Sequence, residues 1–305
     1  MAFRLDAHWV WDFWVADDGD RYHLFYLHAP KALGDPDLRH RNARIGHATS
    51  EDLTHWTDHG EVLAPGEPGS FDETATWTGC VVRDEAGLWR MFYTGASFTA
   101  DGSPENIETI GCAVSEDLHA WRKLPDLVLR ADPAHYETLG DTSWPEEAWR
   151  DPWVYRDEAG DGWHMLITAR GHGAGMTSGG VVGHARSADL TTWTAGPPLG
   201  PSSAEFPHLE VLQRIDHGGR TFLTFSAARH PAGGGMVSGV WAVEAPADLE
   251  GVDVDTARLI APDPYYAGRI VRDRSDDLVL LAFSGGGPGS TEAPQGVSDP
   301  LPVSL

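Results

Sequence analysis

Cysteine is scarce in this chain of 305 residues, which contains only Cys80 and Cys112. Two cysteines are too few for a disulfide framework or for a cysteine-based metal site. Because a free cysteine behaves as a small apolar side chain, we predict that both are buried free thiols.

Basic residues are also scarce, since 22 Lys and Arg stand against 46 Asp and Glu and give a formal net charge of −24. Nucleic acids and anionic membrane surfaces are bound through positive patches. The charge therefore predicts no nucleic-acid and no membrane partner. It places no restriction on a neutral ligand such as a sugar.

Long hydrophobic runs are absent, and no apolar stretch is long enough to span a bilayer. The opening MAFRLDAHWVWDF lacks the charged and then apolar regions of a signal peptide. We therefore expect a cytoplasmic protein, with a secreted mature form as the alternative.

Aromatic residues, glycine and proline are plentiful, with 13 Trp, 10 Phe, 7 Tyr, 35 Gly and 21 Pro. This mixture favours many short strands joined by turns over a helical protein. Repetitive β folds often reach this length as one domain, so the length alone does not require a division.

An eleven-residue motif, G-[HC]-A-x-S-x-D-L-x-x-W, occurs three times without a gap, at 46–56, 111–121 and 183–193. The copies begin at Gly46, Gly111 and Gly183 and so recur at nearly regular intervals. A weaker fourth copy at 242–249 lacks the tryptophan. We call its Ser-x-Asp-Leu-x-x-Trp part the corner motif. It predicts a structural turn in which Ser and Asp bind backbone and Trp fills the gap between repeats.

Aromatic and aliphatic strands accompany these copies, at 22–26, 88–93, 163–167, 221–225 and 278–283. A four-stranded unit repeated radially is the blade of a propeller, and five such units fit the chain. We predict an all-β, single-domain, five-bladed β-propeller over residues 1–290, followed by a tail at 291–305. A solenoid is disfavoured because helical and hexapeptide periods are absent.

Three acids stand on the predicted first strands of blades, which face the central channel of a propeller. They are Asp12, Asp151 and Glu205, at comparable positions ahead of the second strands of their blades. An acid on an apolar inner strand is unfavourable unless it is paired or functional. Acids that meet at one axis raise the pKa of at least one, and glycoside hydrolysis needs one ionised and one protonated carboxyl.

The sequence resembles glycoside hydrolase family 32, the invertases and fructanases. Residues 9–12 and 22–30 are similar to the family's W-M-N-D-P-N-G and Y-H-L-F-Y-Q-x-N-P segments, and 46–56 matches its G-H-A-x-S-x-D-L-x-x-W. Residues 150–152 match R-D-P, and 205–207 resemble E-C-P. The tripeptide at 77–79 stands where the family has F-S-G-S.

The resemblance implies a retaining hydrolysis of a fructofuranoside or a similar furanoside, with transglycosylation as a further outcome. Asp12 becomes the nucleophile, Glu205 the general acid/base and Asp151 the stabiliser of the transition state. It implies a carbohydrate substrate and no cofactor. The residues expected to bind the sugar are Trp9, Trp11, Trp14, His28, Asp72, Trp77, Arg150 and His208.

The chain departs from the family pattern at several positions. Phe206 replaces the cysteine after the acid/base, and we expect no C-terminal β-sandwich of the kind usual in the family. Glu210 is a rival acid, but on a regular strand its odd offset from Glu205 turns it to the opposite face unless a bulge intervenes. We prefer Glu205 because Pro207 completes the motif.

Two other readings remain open. Families 43, 62 and 68 use three acids on the same scaffold, and a family 43-like arabinofuranosidase or xylosidase would invert the anomeric centre. The second alternative is a non-catalytic propeller that only binds carbohydrate. None of the 15 histidines falls at a metal-ligand spacing, so we predict no catalytic metal. The oligomeric state stays open.

Overall fold

The computed structural model describes residues 3–157, 160 and 162–305. Strands dominate this part of the chain, as aromatic residues with plentiful turn residues predict. They are β1 (His8–Asp17), β2 (Tyr22–Pro30), β3 (Arg44–Ser50), β4 (Thr57–Leu63), β5 (Ala75–Arg83), β6 (Trp89–Phe98), β7 (Asn106–Ser115), β8 (Arg122–Leu129), β9 (Glu146–Glu147), β10 (Trp149–Arg156), β11 (Trp163–Arg170), β12 (Gly180–Ser187), β13 (Thr194–Gly196), β14 (Glu210–His217), β15 (Arg220–Arg229), β16 (Val237–Ala245), β17 (Arg258–Pro262), β18 (Tyr265–Arg272), β19 (Leu278–Ser284) and β20 (Leu301–Pro302). Short 3₁₀ helices cover Lys31–Leu33, Pro36–Asn42 and Val254–Thr256.

The strands form five antiparallel sheets, each in chain order: β1–β4, β5–β8, β10–β13, β14–β17 and β18–β20. The two-residue strand β9 adds to the second sheet by pairing parallel with β7. The first strands of the sheets contact one another in a closed ring, β1 to β5, β10, β14, β18 and back to β1. The predicted five-bladed β-propeller is confirmed.

Both ends of the chain take part in closing the ring. Phe3 bridges Val297, which also bridges Phe283 on β19. β20 pairs with β19 as the third strand of blade 5. Part of the segment predicted as a tail at 291–305 therefore belongs to the last blade.

An apolar cluster fills the gap between each pair of adjacent blades. Fully buried members, in ring order from the gap between blades 1 and 2, include Trp14 and Met91, Phe92 and Met165, Leu166 and Leu223, Val240 and Leu280, and Leu281 and Leu24. Burial of such side chains gives roughly 1.5–3 kcal/mol each, so the contact between blades is a main source of stability.

The corner motif has the predicted structural role. In blade 2, the Asp117 carboxylate accepts from the backbone N–H groups of His119 and Ala120, at 2.8 and 2.9 Å. Leu118, which lies between Asp117 and His119, has a φ of +65°. The equivalent leucines of the other copies have φ values of +61° to +64°. Trp121 packs edge-on against Phe25 of blade 1 and so fills the gap between the blades.

All five inner strands carry a bulge where they pass the axis. The register shifts between Val10 and Phe13, Trp77 and Gly79, Arg150 and Trp153, Glu210 and Gln213, and Tyr266 and Arg269. A bulge re-aims side chains that regular pleating would turn into the sheet face. The bulges therefore decide which side chains reach the central channel.

Cys80 and Cys112 are both buried and free, which confirms the prediction from their number. Among the described residues, no helix has the length and apolar character to cross a bilayer.

Candidate active site

A polar cavity of about 280 Å³ opens at the ring of bulges. Every blade contributes to its wall, and the Pro36–Asn42 helix closes one side. The lining residues are Trp11, Asp12, Leu27, Arg39, His40, Trp77, Thr78, Glu146, Arg150, Asp151, Glu210, Tyr266, Gly286, Gly287 and Pro288. Three carboxyls on inner strands, those of Asp12, Asp151 and Glu210, converge on this one space.

Asp12 lies within the bulge of β1, where it is half-buried and shares the cavity wall with Trp11 and Trp77. Its Oδ2 accepts a hydrogen bond from Thr78 Oγ1 at 2.7 Å. Burial raises the pKa of Asp12 to about 7, and the charges of Asp151 and Glu210 contribute to this rise against the opposing bond from Thr78.

Asp151 sits in the bulge of β10 at φ +57°, in the left-handed region that non-glycine residues rarely adopt. Its Oδ2 accepts from Thr168 Oγ1 at 2.9 Å and from the Val211 N–H at 3.2 Å. Burial raises the pKa of Asp151, although the neighbouring Arg150 guanidinium opposes this. Strain of this kind is typical of functional positions.

Glu210 is the first residue of β14 and stands at the edge of its bulge. One oxygen accepts from Arg150 Nη2 at 2.9 Å, and the other accepts from the Tyr266 hydroxyl. Burial acts to raise the pKa of Glu210, but Arg150, His208 and the Tyr266 hydrogen bond outweigh it and hold the pKa below its usual range.

Arg150 links Glu210 to two further acids, Glu108 and Glu146. Its Nη1 donates to both oxygens of Glu108, at 3.0 and 3.1 Å, and to Glu146 at 3.3 Å. Its Nη2 contacts His208 Nδ1 at 2.5 Å as well as Glu210. A buried guanidinium bound on several sides is fixed in position, and it fixes Glu210 in turn.

The structure corrects the predicted third acid. Glu205 does not line the cavity: it lies in the loop before β14 and pairs with Arg229 Nε at 2.5 Å, with its side chain 24% exposed. β14 begins only at Glu210, after the Pro207-containing loop, and the bulge there turns Glu210 to the axis. The sequence preference for Glu205 over Glu210 is therefore wrong about position.

A signal for Glu210 was present in the sequence. The interval from Glu210 to the second strand of its blade, at Thr221, is nearly the same as that from Asp12 to Tyr22 and from Asp151 to Trp163. Glu205 stands distinctly further upstream. The regular spacing points to Glu210, while the proline-containing motif pointed to Glu205.

The predicted sugar-binding residues divide into two groups. Trp11, Trp77 and Arg150 line the cavity as expected. The other five do not line it. One of them, His208, contacts Arg150 and packs against Trp144.

Trp9 and Trp14 are buried in the core between blades 1 and 2, where Trp14 stacks on Phe25. His28 packs against Tyr26 and His8 in blade 1. The carboxylate of Asp72 is buried and bonded by Tyr93 and Lys123. The structure places these four in the packing of the blades and away from the cavity wall, where they have no contact with the proposed sugar site.

Several cavity residues escaped the sequence reasoning. Tyr266 and Glu146 come from blade 5 and from β9, and Arg39 and His40 from the 3₁₀ helix before β3. Arg39 is bonded to the Pro36 carbonyl and lies over the Trp11 ring at 5.7 Å. None of these residues falls in a motif, since segments outside the repeat bring them to the axis.

A second group of chemically active side chains lies away from the cavity. His47, His59 and His119 place nitrogen atoms within 4.8 Å of one another, in a geometry that could hold a metal ion. Their positions in the sequence showed no ligand spacing, because they come from two blades.

Comparison with known proteins identifies the family of this propeller. The model of the glycosyl hydrolases family 32 N-terminal domain matches residues 15–227. The chain belongs to glycoside hydrolase family 32. This match agrees with the resemblance of the sequence motifs and with the propeller fold.

Two curated relatives from Escherichia coli are similar over much of this family 32 chain. Sucrose-6-phosphate hydrolase is 29% identical over 235 residues, covering 73% of this chain and 44% of its own length. Raffinose invertase is 28% identical, covering 60% of this chain and 34% of its own length. The chain thus spans less than half the length of the curated relatives it matches.

Solved structures share the fold. The Microbacterium saccharophilum K-1 β-fructofuranosidase catalytic domain superposes with a TM-score of 0.71 at 17% identity, over 99% of this chain and 79% of that one. Inulosucrase from Halalkalicoccus jeotgali, bound to kestose, gives a TM-score of 0.68 at 22% identity, over 93% and 79% of the two chains. At these identities the likeness establishes the propeller architecture.

Proposed function

We propose that this protein is a retaining glycoside hydrolase that acts on a fructofuranoside. The observation that carries the proposal is the convergence of Asp12, Asp151 and Glu210 on one cavity. Two carboxyls flanking the scissile bond are what glycoside hydrolysis requires. The names of the curated relatives, with sucrose-6-phosphate and raffinose among them, point to fructose-containing substrates.

Asp12 is the proposed nucleophile. Its carboxylate attacks the anomeric carbon of the fructosyl unit, forming an ester while the bond to the leaving oxygen breaks. Thr78 holds the carboxylate by its Oδ2 and leaves Oδ1 for the attack. Trp11 and Trp77 share the cavity wall with Asp12 and offer apolar faces to the sugar ring.

Glu210 is the proposed general acid/base. It gives its proton to the leaving oxygen in the first step. In the second step it takes a proton from water, whose oxygen attacks the anomeric carbon and releases Asp12. The Tyr266 hydroxyl and Arg150 keep the Glu210 carboxyl in one orientation through both transfers.

Asp151 is the proposed stabiliser of the transition state. Thr168 and the Val211 N–H hold its Oδ2, and its Oδ1 is the proposed acceptor of hydrogen bonds from sugar hydroxyls. Such bonds strengthen as positive charge develops on the sugar ring.

The proton needed for the reaction is shared between two acids. With the pKa of Asp12 at about 7 and that of Glu210 below its usual range, Asp12 and Glu210 together bind one proton over a wide interval below pH 7. The reactive arrangement has this same proton on Glu210. Because both arrangements carry one proton, their ratio does not change with pH across that interval.

The experiment that tests this function is a substrate screen with the anomeric outcome followed by NMR. Sucrose, sucrose-6-phosphate, raffinose, inulin, levan and aryl arabinofuranosides are incubated with the purified chain. We expect release of fructose with the configuration of the substrate retained in the first product. Initial release of the inverted anomer would exclude the retaining mechanism, and cleavage of the arabinofuranosides alone would favour the family 43-like alternative.

A further inference from the structure

Four histidines meet at the outer face of the gap between blades 1 and 2. His23 on β2, His47 on β3 and His59 on β4 belong to blade 1, and His119 belongs to the corner motif of blade 2. The rings of His47, His59 and His119 form a triangle with centroids 4.8 to 5.1 Å apart. Neither the fold nor the proposed hydrolysis needs this triangle.

We infer that His47, His59 and His119 bind a divalent transition-metal ion, such as Zn²⁺, that ties blade 1 to blade 2. Imidazole nitrogen is a preferred ligand of these ions. Three histidines with a fourth position open to water make a common zinc coordination shell.

The protonation of His47 is set by a chain of hydrogen bonds. The Asp18 carboxylate lies 3.1 Å from His23 Nε2, which must therefore donate. This leaves His23 Nδ1 as an acceptor for His47 Nε2, at 2.9 Å. His47 Nδ1 consequently carries no proton and presents a lone pair.

That lone pair has no partner among the described residues. His47 is fully buried, and its Nδ1 is a buried nitrogen without a hydrogen bond. An unpaired buried acceptor costs about 1–3 kcal/mol, which a metal ion at this position would offset. A carboxylate that orients a histidine ligand through hydrogen bonds is also typical of metal sites, where it acts behind the ligands.

The other two ligands are placed to complete the shell. His59 Nε2 is bonded to Thr49 Oγ1 at 2.9 Å, so its Nδ1 remains for a metal. His59 and His119 are exposed, which gives an ion a path from solvent.

One ring nitrogen from each of the three histidines lies within 4.8 Å of the others, whereas Zn–N bonds of about 2.0–2.1 Å in a tetrahedron put nitrogens about 3.4 Å apart. Metal binding therefore requires the rings to move closer together, and His59 and His119 are the exposed ones. The net charge of −24 also favours cations near the surface.

The gap between blades 3 and 4 provides an internal comparison. His164 Nδ1 and His184 Nε2 of blade 3 repeat the histidine pair at 2.9 Å. In blade 4, however, Glu250 follows the corner leucine at the position that His119 has in blade 2. The outer strand of blade 3, β13, has the sequence Thr-Ala-Gly and carries no counterpart of His59. The pair is thus part of the repeat, while His59 and His119 are additions confined to the first gap among the described residues.

The test is calorimetric titration of ZnCl₂ into the full chain, prepared without a histidine tag and dialysed against EDTA. We expect one Zn²⁺ per chain with a Kd in the micromolar range or tighter. His59→Gln and His119→Gln should each weaken binding at least about tenfold, as expected for removal of a ligand.

His55→Gln is the matched control, because His55 is an exposed histidine of the blade 1 corner motif that lies outside the triangle. It should leave the Kd unchanged. Binding of Co²⁺ in place of Zn²⁺ should give the visible absorption of a tetrahedral site, which both ligand variants lose. The proposal would be overturned if no binding occurs at a Zn²⁺ concentration about 100-fold above the micromolar range. Equal binding by the control and both ligand variants would also overturn it.

Discussion

The outer corners and the inner-strand bulges of this propeller both hold non-glycine residues in the left-handed region of backbone conformation. At the corners these are four leucines at almost one φ value, in turns where the Asp side chain binds the backbone and, in three copies, a Ser does so as well. At the bulges they are Asp151, Val211 and Ala267, at φ +47° to +57°. The corners use the strain to build the same turn four times, and the bulges use it to aim different side chains.

The acids of the two regions have opposite electrostatics. Backbone N–H groups of the corner turns hold the pKa of Asp189 at about 2 and lower that of Asp117. Burial among other acids raises the pKa of Asp12 to about 7. Carboxylates stabilised by backbone hydrogen bonds are therefore typical of the repeated corners. A carboxyl whose ionised form is unfavourable is typical of the proposed site of chemistry.

Replacing Asp12 with Asn should have the largest effect on activity. The variant keeps the size of the side chain but lacks the nucleophile, so we expect kcat/KM to fall on the order of 10³-fold or more. Initial rates on the best substrate of the screen measure this. Retention of activity within tenfold would contradict the assigned role.

The same Asp12→Asn variant should be more stable than the parent at high pH. A carboxyl whose pKa is raised from 3.8 to about 7 stabilises the fold fully below pH 3.8 and loses this contribution as pH rises through 7. The neutral amide avoids that loss, giving a gain of up to roughly 4 kcal/mol at pH 8 and little at pH 3.5. Urea unfolding at both pH values checks the sign, and a variant less stable at pH 8 would contradict the burial of an unfavourable charge.

The pH profile of kcat/KM should have a basic limb near pH 7. Above this pH the single proton shared by Asp12 and Glu210 is lost, and the rate falls about tenfold per pH unit. On the acid side the rate should hold down to the lowered pKa of Glu210. Steady-state rates from pH 3.5 to 9 measure this profile. A kcat/KM that does not change between pH 6 and pH 9 would exclude the shared proton.

Asp189→Ala should show the smaller, purely structural effect of a corner. It removes the acceptor for the Thr191 and Thr192 N–H groups, at 2.8 and 2.9 Å, and should cost about 1 kcal/mol, as loss of a similar helix cap does. Activity per folded molecule should stay at the parent value. A change in kcat/KM larger than threefold would mean that the corners and the site are coupled.

The difference between the two regions also explains which parts were predictable. The corner motif repeats in sequence because it repeats in structure, so the fold, the role of its Ser, Asp and Trp, and two of the three acids followed from the pattern. The motif completed by Pro207 favours Glu205, and a regular strand would turn Glu210 away. The bulge in β14 reverses that geometry.

Contacts made by loops and between blades left no local signal. Tyr266 and Glu146 reach the cavity from segments far from any motif, and the histidine triangle joins His59 to His119 across a long stretch of chain. Two residues expected at the sugar lie elsewhere. Trp14 belongs to the core between blades 1 and 2, and His28 packs against Tyr26 within blade 1.

In the proposed mechanism the third acid is Glu210, bound to Arg150 and Tyr266 in the cavity, and not the neighbouring Glu205, paired with Arg229 outside it. Glu210→Gln and Glu205→Gln make the same chemical change at two nearby positions, so kcat/KM of the two variants on one fructoside tests it most directly. We expect a loss of about 10²–10⁴-fold for Glu210→Gln, the range for a general acid/base, and a value within about threefold of the parent for Glu205→Gln. A large loss for Glu205→Gln with an active Glu210→Gln would contradict the account.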